Sequence, residues 1–248
     1  GTSLWEELQP ISQLMQEFEN DLSMGHPEIF YSEVLNDENV QANNRIDLSK
    51  LPALPYEAGD IPGGNFIIID PATDKKDSDS VAVGYFEVHA TKPILMEVTE
   101  ARLSPGETIR TALQYALNHN CRLIVVESNA YQYSLLYWFE HICKQIGISG
   151  IECVDIYSGI KNKNARILSM FKSYAQGELF VHPNCRLEVH TQIVEFNPLK
   201  RDNTDGILDL LTYAPRVLVE FEEYVVASGL LEAQELDAIE VEEGCWAF

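Results

Sequence analysis

The sequence lacks long apolar runs, a leader-like start and paired cysteine spacings. No apolar run approaches the roughly 18 residues of a membrane-spanning helix, so we expect no membrane segment. No basic stretch followed by an apolar one opens the chain, so we expect no secretory signal. The five cysteines are dispersed without C-x-x-C spacing, which argues against a disulfide framework or a structural zinc site. These features are typical of a cytoplasmic protein with reduced thiols.

Basic residues are also scarce. The chain has 17 Lys and Arg against 39 Asp and Glu, for a net charge of −22. Nucleic-acid enzymes usually carry a basic surface, so this balance has to be explained. Residues 1–50 hold ten acidic and two basic side chains, and residues 217–248 hold nine acidic and none basic. The flanks therefore carry most of the excess, and the central region is much closer to neutral.

The same unevenness accompanies a predicted division of the chain. Residues 1–60 are expected to form an N-terminal helix and a linker, because apolar residues at helical spacing over 4–24 give way to Asn, Asp and Pro clusters. Residues 61–227 carry the regular apolar segments of a folded domain. Residues 228–248 are expected to form an acidic tail.

Within the central region, apolar strands alternate with amphipathic helices in the order β-β-β-α-β-α-β-α. This order predicts an α/β fold, with a mixed sheet and helices on both faces. The predicted strands lie at 66–69, 81–86, 94–98, 122–126 and 151–157, and the helices at 104–118, 131–146, 163–176 and 205–227. Pro215 is expected to kink the last helix.

Two isolated acids follow strongly apolar strands. Asp70 follows Phe66-Ile67-Ile68-Ile69, and Glu127 follows Leu123-Ile124-Val125-Val126. In open α/β sheets the ligand crevice lies outside the carboxyl ends of the strands, which makes both acids candidates for a site. Alternatively, either acid only caps or solvates a turn.

A third acidic element begins the last predicted helix. Asp205 and Asp209 are four residues apart and therefore share one helix face, where like charges repel unless a cation lies between them. Alternatively, Asp205 is only stabilised by the helix dipole. Asp79 is a possible accessory acid, although it equally fits a solvated turn.

Carboxylates that converge from different elements suit hard divalent cations. Mg2+ takes oxygen ligands and keeps several waters. Two such ions roughly 3.5–4 Å apart can activate a water and stabilise the leaving oxygen in phosphodiester cleavage. The acids therefore predict a site for two Mg2+ or Mn2+ ions and a phosphodiester hydrolase.

Five segments in order resemble the C-terminal nuclease domain of bacteriophage large terminases, which belongs to the RNase H-like superfamily. The resemblance covers about residues 65–215 and rests on Asp70-Pro71-Ala72, Ser78-Asp79-Ser80-Val81-Ala82, Val125-Val126-Glu127, Lys163-Asn164-Ala165-Arg166-Ile167, and the run from Asp205 to Ala214. It implies an RNase H-like sheet and a metal-dependent endonuclease that cuts concatemeric viral DNA during genome packaging.

The resemblance also implies the ligands. Asp70, Glu127 and Asp205 would hold the metals, with Asp209 as an alternate or fourth ligand. Gly206 stands where many relatives have a second adjacent Asp, which leaves open whether Asp205 or Asp209 is the principal third ligand. Asp205 is ranked first.

The implied partners are double-stranded viral DNA, the packaging ATPase, the small terminase and the portal, in the host cell cytoplasm. No G-x-x-x-x-G-K-[ST] motif occurs, so we expect the chain to be the nuclease half without its ATPase. Basic residues that could hold DNA, or simply form a solvated face, are Lys161, Lys163, Arg166, Lys172, Lys200 and Arg201. Another RNase H-like nuclease, such as a Holliday-junction resolvase, and a catalytically weak docking module remain alternatives.

Overall fold

A computed structural model of the chain describes residues 10–23, 46–71, 80–128, 132–157, 163–198 and 203–226. Over these residues, none of the helices combines the length and the apolar character needed to cross a membrane. The following description applies to these ranges.

Six strands form one mixed sheet in the order β5-β4-β1-β2-β3-β6. β1, β2 and β3 form an antiparallel meander, whereas β4 runs parallel to β1, β5 parallel to β4, and β6 parallel to β3. The strands are β1 Gly64–Asp70, β2 Val81–His89, β3 Lys92–Ala101, β4 Leu123–Ser128, β5 Glu152–Tyr157 and β6 Phe180–Val181. The apolar side chains of β1 are fully buried because helices cover the sheet on both sides.

The described residues also form seven α-helices. They are α1 Ile11–Ser23, α2 Pro105–Asn118, α3 Gln132–Gln145, α4 Lys163–Ala175, α5 Arg186–Glu195, α6 Gly206–Glu220 and α7 Glu222–Val226. α2 and α3 bury their apolar stripes on one sheet face, where Ile67 and Ile69 of β1 point. α4, α5 and α6 cover the other face, where Phe66 and Ile68 point. The alternating side chains of β1 thus supply both cores.

The observed architecture confirms the predicted α/β fold with a mixed sheet and helices on both faces. Ser104 caps α2 through a capping box with Glu107, as its sequence predicts. The third strand is longer than predicted, because it runs to Ala101 instead of Val98. α6 continues through Pro215 and ends at Glu220, so the backbone breaks at Phe221 rather than at the proline.

β6 and α5 are absent from the predicted order. β6 has only two residues, too few for a periodic signal. The buried stripe of α5 consists of Val189, Gln192 and Ile193, while Leu187 and Val194 are exposed. A buried glutamine together with exposed apolar side chains obscures the helical period from which the other helices are predicted.

Part of the predicted linker packs against the domain. Ile46, Leu48 and Leu51 contact the core that α4, α5 and α6 form with the sheet. The boundaries at residues 60 and 227 stay predictions, and the acidic tail lies outside the described residues.

Adjacent glycines at the start of β1 test how α7 packs on the sheet. A Cβ on Gly64 would lie 2.3 Å from the carbonyl oxygen of Val225, whereas a Cβ on Gly63 would come no closer than 3.6 Å to Val88. We expect Gly64→Ala to lower the free energy of unfolding by about 1–3 kcal/mol, because backbone must move. Gly63→Ala should change it by less than about 0.5 kcal/mol in the same urea titration. Equal stability of the two variants would contradict this packing.

Candidate metal centre

A row of residues crosses the sheet at the edge where β1 and β4 end. Asp70 pairs with Ala82, and Ala82 pairs in turn with Glu100 of β3. On the other side, the parallel register that joins Ile69 to Val126 brings Glu127 beside Asp70. Residues opposite one another in neighbouring strands point to the same face. The row therefore presents three carboxylates to the face that α4, α5 and α6 cover.

The first turns of α6 bring a further carboxylate to this row. Carboxylate oxygens of Asp70, Glu127 and Asp209 all lie within 4.8 Å of one another. Glu127 and Asp209 are buried, with 5% and 3% of their surface exposed, and Asp70 is partly buried. Acids from two strands and one helix thus converge at one point, held by rigid elements.

Asp205, ranked first from the sequence, is not in this cluster. Its residue is the N-cap of α6, one turn before Asp209. The Asp205 carboxylate lies 2.9 Å from the ammonium nitrogen of Lys163 on α4. Among the described acids, the structure thus brings Asp209 together with the two strand-end acids, and leaves Asp205 one turn away.

Two cations from α4 offset the negative charge. Lys163 Nζ lies 3.3 Å from Asp209 Oδ2, and Arg166 Nη2 lies 2.7 Å from Asp209 Oδ1. Burial lowers the pKa of Lys163, but Asp209, Asp70 and Asp205 outweigh burial and raise the pKa overall. For Arg166 burial also lowers the pKa, but Asp209, Tyr213 and Glu127 together raise it by more. Both side chains therefore remain cationic beside the acids.

Tyr213 connects the two halves of the cluster. Its hydroxyl donates to Glu127 Oε1 at 2.5 Å and accepts a hydrogen bond from Arg166 Nη2 at 3.0 Å. Burial, then Asp209 and Glu127, raise the pKa of Tyr213, which keeps the phenol protonated. The sequence analysis did not assign Tyr213 to the site. Its spacing from Asp209, one helical turn along the same face, was the available signal.

The surroundings of Asp70 raise the pKa of its carboxyl group. Burial raises its pKa well above the usual value, and the neighbouring Glu127 and Asp209 raise it further, while Lys163 acts in the opposite direction. This is the behaviour of a carboxyl that shares a site with like charges. A cation bound between the acids would offset the part of this shift that the neighbouring carboxylates cause.

Glu100 is a fourth acid at this edge that the sequence analysis missed. Its Oε1 accepts a hydrogen bond from Ser80 Oγ at 3.2 Å, and its Oε2 accepts one from Gln192 Nε2 at 2.5 Å. Burial raises the pKa of Glu100. The signal for this residue was the register of the antiparallel meander, which places the end of β3 beside the start of β2.

The structure describes only some of the remaining predicted residues. Asp79, Lys161, Lys200 and Arg201 lie outside the described residues. Lys172 is exposed on α4, and Arg166 has only 13% of its side chain exposed because it faces Asp209. Lys163 has 43% exposed, so its ammonium can be reached from solvent.

The donor set fits a hard divalent cation. The three carboxylates offer only oxygen, which Mg2+ and Mn2+ prefer over nitrogen or sulfur. Ligands about 2.1 Å from Mg2+ lie at most about 4.2 Å apart. Oxygens already within 4.8 Å of one another need only small side-chain adjustments to reach that spacing. The acidic triad can therefore bind a metal ion.

No protein-family model matches the sequence, and no curated protein matches it. Among solved structures, the chain is similar to nuclease domains of terminases, as its motifs indicated. The manganese-soaked, inhibitor-bound terminase nuclease domain of human cytomegalovirus is 14% identical, with a TM-score of 0.49 over 75% of this chain and 96% of that one.

Two bacteriophage structures are similar as well. A calcium-containing large-terminase fragment of bacteriophage Sf6 is 12% identical, with a TM-score of 0.43 over 64% of this chain and 90% of that one. The manganese-bound large-terminase nuclease domain of bacteriophage SPP1 is 10% identical, with a TM-score of 0.41 over 61% and 84%. Because these values are low, the assignment of the site rests on its own carboxylate geometry.

Removing the charge of Asp70 should stabilise the metal-free protein, and more so at higher pH. The folded-state pKa of Asp70 is raised above its unfolded value of about 3.9. The stability that the Asp70 proton contributes is therefore fully present below the unfolded pKa. It is lost as the pH rises through the folded-state pKa. Asp70→Asn keeps a neutral side chain. Its advantage in unfolding free energy should therefore grow by about 1.4 kcal/mol per pH unit within that window and then level off.

Urea unfolding in EDTA between pH 4 and 8 measures this difference. Asp155→Asn, at an exposed position on β5, is the control. Mn2+ should reverse the order by stabilising the wild-type chain through mass action. A difference between Asp70→Asn and wild type that stays constant with pH would contradict the electrostatic account.

Proposed function

We propose that this chain is a metal-dependent endonuclease that hydrolyses phosphodiester bonds of DNA. The observation that carries the proposal is the convergence of Asp70, Glu127 and Asp209, from three separated segments, to within 4.8 Å at the carboxyl edge of the sheet. Each of these acids also lies in a segment that resembles a terminase nuclease motif. Acids that served only as solvated surface groups would not be buried beside cations and the Tyr213 phenol.

Each residue has a distinct part in this proposal. Asp70, Glu127 and Asp209 hold the metal. Tyr213 orients Glu127 by donating to it, and Arg166 orients Asp209, so the ligand oxygens keep fixed directions. A bound divalent ion supplies Lewis acidity and lowers the pKa of a bound water. Because Arg166 is largely buried, we assign it to this positioning role rather than to DNA contact.

Lys163 bears on the number of ions. Its ammonium contacts both Asp205 and Asp209, the two carboxylates that a second ion would need. We propose that one ion occupies the triad and that a second, held by Asp205 and Asp209, requires Lys163 to swing away. Lys163 is partly exposed, so in that position its charge would be available to a DNA phosphate.

The biological role follows from the motif resemblance. We propose that the enzyme cuts concatemeric viral DNA during genome packaging in the host cell cytoplasm. Its partners would be a packaging ATPase, the small terminase and the portal. The net charge of −22 implies that DNA binding by this chain alone is weak and falls with added salt.

Nicking of supercoiled plasmid in Mn2+, Mg2+ or EDTA tests the proposal. Asp70→Asn, Glu127→Gln and Asp209→Asn should each lower the metal-dependent rate by more than about 100-fold, beyond the loss expected for outer residues. Asp205→Asn should cost only about 10-fold to 100-fold, because it removes a ligand of the proposed second ion and leaves the triad intact. Glu195→Gln, at an exposed position on α5, is the matched control and should nick as wild type does.

Different outcomes separate the alternatives. Nicking that survives substitution of Asp70 and Glu127 would mean another site or a contaminant. If no sample nicks plasmid, calorimetry with Mn2+ decides: binding that the Asp209→Asn variant loses would indicate a gated nuclease. No binding by the wild-type chain would refute the proposal in favour of a docking module.

A further inference from the structure

The N-terminus of α6 is capped by a residue from another helix. Asp205 occupies the N-cap position, but its side chain makes no capping hydrogen bond and contacts Lys163 instead. Gln192 of α5 takes over: its Oε1 accepts from the backbone N–H groups of Ile207 at 3.2 Å and Leu208 at 3.3 Å. The first N–H groups of a helix have no partner within the helix, so this external acceptor satisfies two of them.

Glu100 determines which end of the Gln192 amide faces the helix. Gln192 Nε2 donates to Glu100 Oε2, so the amide oxygen is directed at α6. An ionised carboxylate can only accept hydrogen bonds, which excludes the flipped amide. Gln192 is 4% exposed, so water offers little replacement for either partner. The chain of hydrogen bonds therefore runs from β3 through α5 to the first turn of α6.

Gly206 leaves the space that this chain of hydrogen bonds requires. A Cβ at this position would lie 2.6 Å from Glu100 Oε1 and 3.6 Å from the Cβ of Ala82. A Cβ at this position would clash with the Glu100 carboxylate, which would have to leave its present position. The glycine that departs from the motif of the resemblance thus has a local physical reason.

We propose that Glu100 and Gln192 are positioning residues of the metal centre. By fixing the first turn of α6 they set the direction of the Asp209 carboxylate, and they leave Asp205 free to bind Lys163. The connection is short, because the N–H of Asp209 donates to the carbonyl of Asp205 at 2.8 Å. This inference rests on the proposed function, since Asp209 matters as a ligand only there. Neither residue contacts the ion.

Exchanging the two side chains tests the proposal in the full-length chain, with Mn2+ affinity measured by calorimetry. Gln192→Glu alone puts a second carboxylate against Glu100 and should weaken Mn2+ binding about tenfold, as expected for outer residues. Glu100→Gln alone keeps an oxygen for Gln192 and an amide for Ser80, so affinity should stay within about twofold. The double variant restores donor and acceptor in reversed order and should regain wild-type affinity.

A second variant separates positioning from general stability. Gly206→Ala improves helix propensity, yet it displaces Glu100. It should therefore weaken Mn2+ binding about tenfold without a lower melting temperature, as an outer-residue change does. Val189→Ala, on the same helix as Gln192 and buried in the core, is the control. It should lower the melting temperature and leave Mn2+ affinity unchanged.

Three results would overturn the inference. One is wild-type affinity in Gln192→Glu and Gly206→Ala, and another is a double variant that fails to recover. The third is a loss in Glu100→Gln as large as in Asp209→Asn, which would make Glu100 a ligand. If instead the wild-type chain binds no Mn2+, the proposed function fails first and the inference falls with it. Intact wild-type binding with no recovery in the double variant refutes only the positioning role.

Discussion

The site depends on holding like charges together. Asp70, Glu127 and Asp209 have carboxylate oxygens within 4.8 Å of one another in largely buried surroundings. Burial raises the pKa of Asp70, and repulsion from Glu127 and Asp209 at this distance raises it further. The acids remain in place because two are fixed by adjacent parallel strands and the third by a helix packed across the sheet. The surrounding cations and the Tyr213 phenol lower the remaining cost of bringing them together.

The part of this arrangement that follows from strand pattern was predictable. Two continuous apolar strands, each ending in an acid, lie side by side when they pair in parallel register, and this alone brings Asp70 to Glu127. The meander and the following α/β alternation likewise fix the mixed sheet. Buried strands and capped helices can be predicted from short stretches of sequence. The signals are apolar runs for the strands and capping residues such as Ser104 and Glu107 for the helices.

The rest depends on tertiary contacts that no local pattern records. Asp205 and Asp209 share a helix face, so their spacing cannot show which of them belongs to the metal cluster. The ion pair between Asp205 and Lys163 forms only because α4 packs beside α6. Gln192 is hidden for a related reason: its polarity obscures the stripe of α5, and its role exists only once Glu100 and the end of α6 meet it. Glu100 is visible only after the register of β3 is known.

Charge within the site limits what it can bind. Asp70, Glu127, Asp209, Asp205 and Glu100 carry five negative charges when ionised, against the two positive charges of Lys163 and Arg166, which leaves −3. One divalent ion would reduce this remainder to −1. On this proposal a second ion displaces the Lys163 ammonium from Asp205 and Asp209, and would be favoured when an anionic phosphodiester offers that ammonium a new partner. In the proposed nuclease, occupancy by two ions is thus coupled to the substrate, and a mostly acidic chain acquires its attraction for DNA at the point where cleavage occurs.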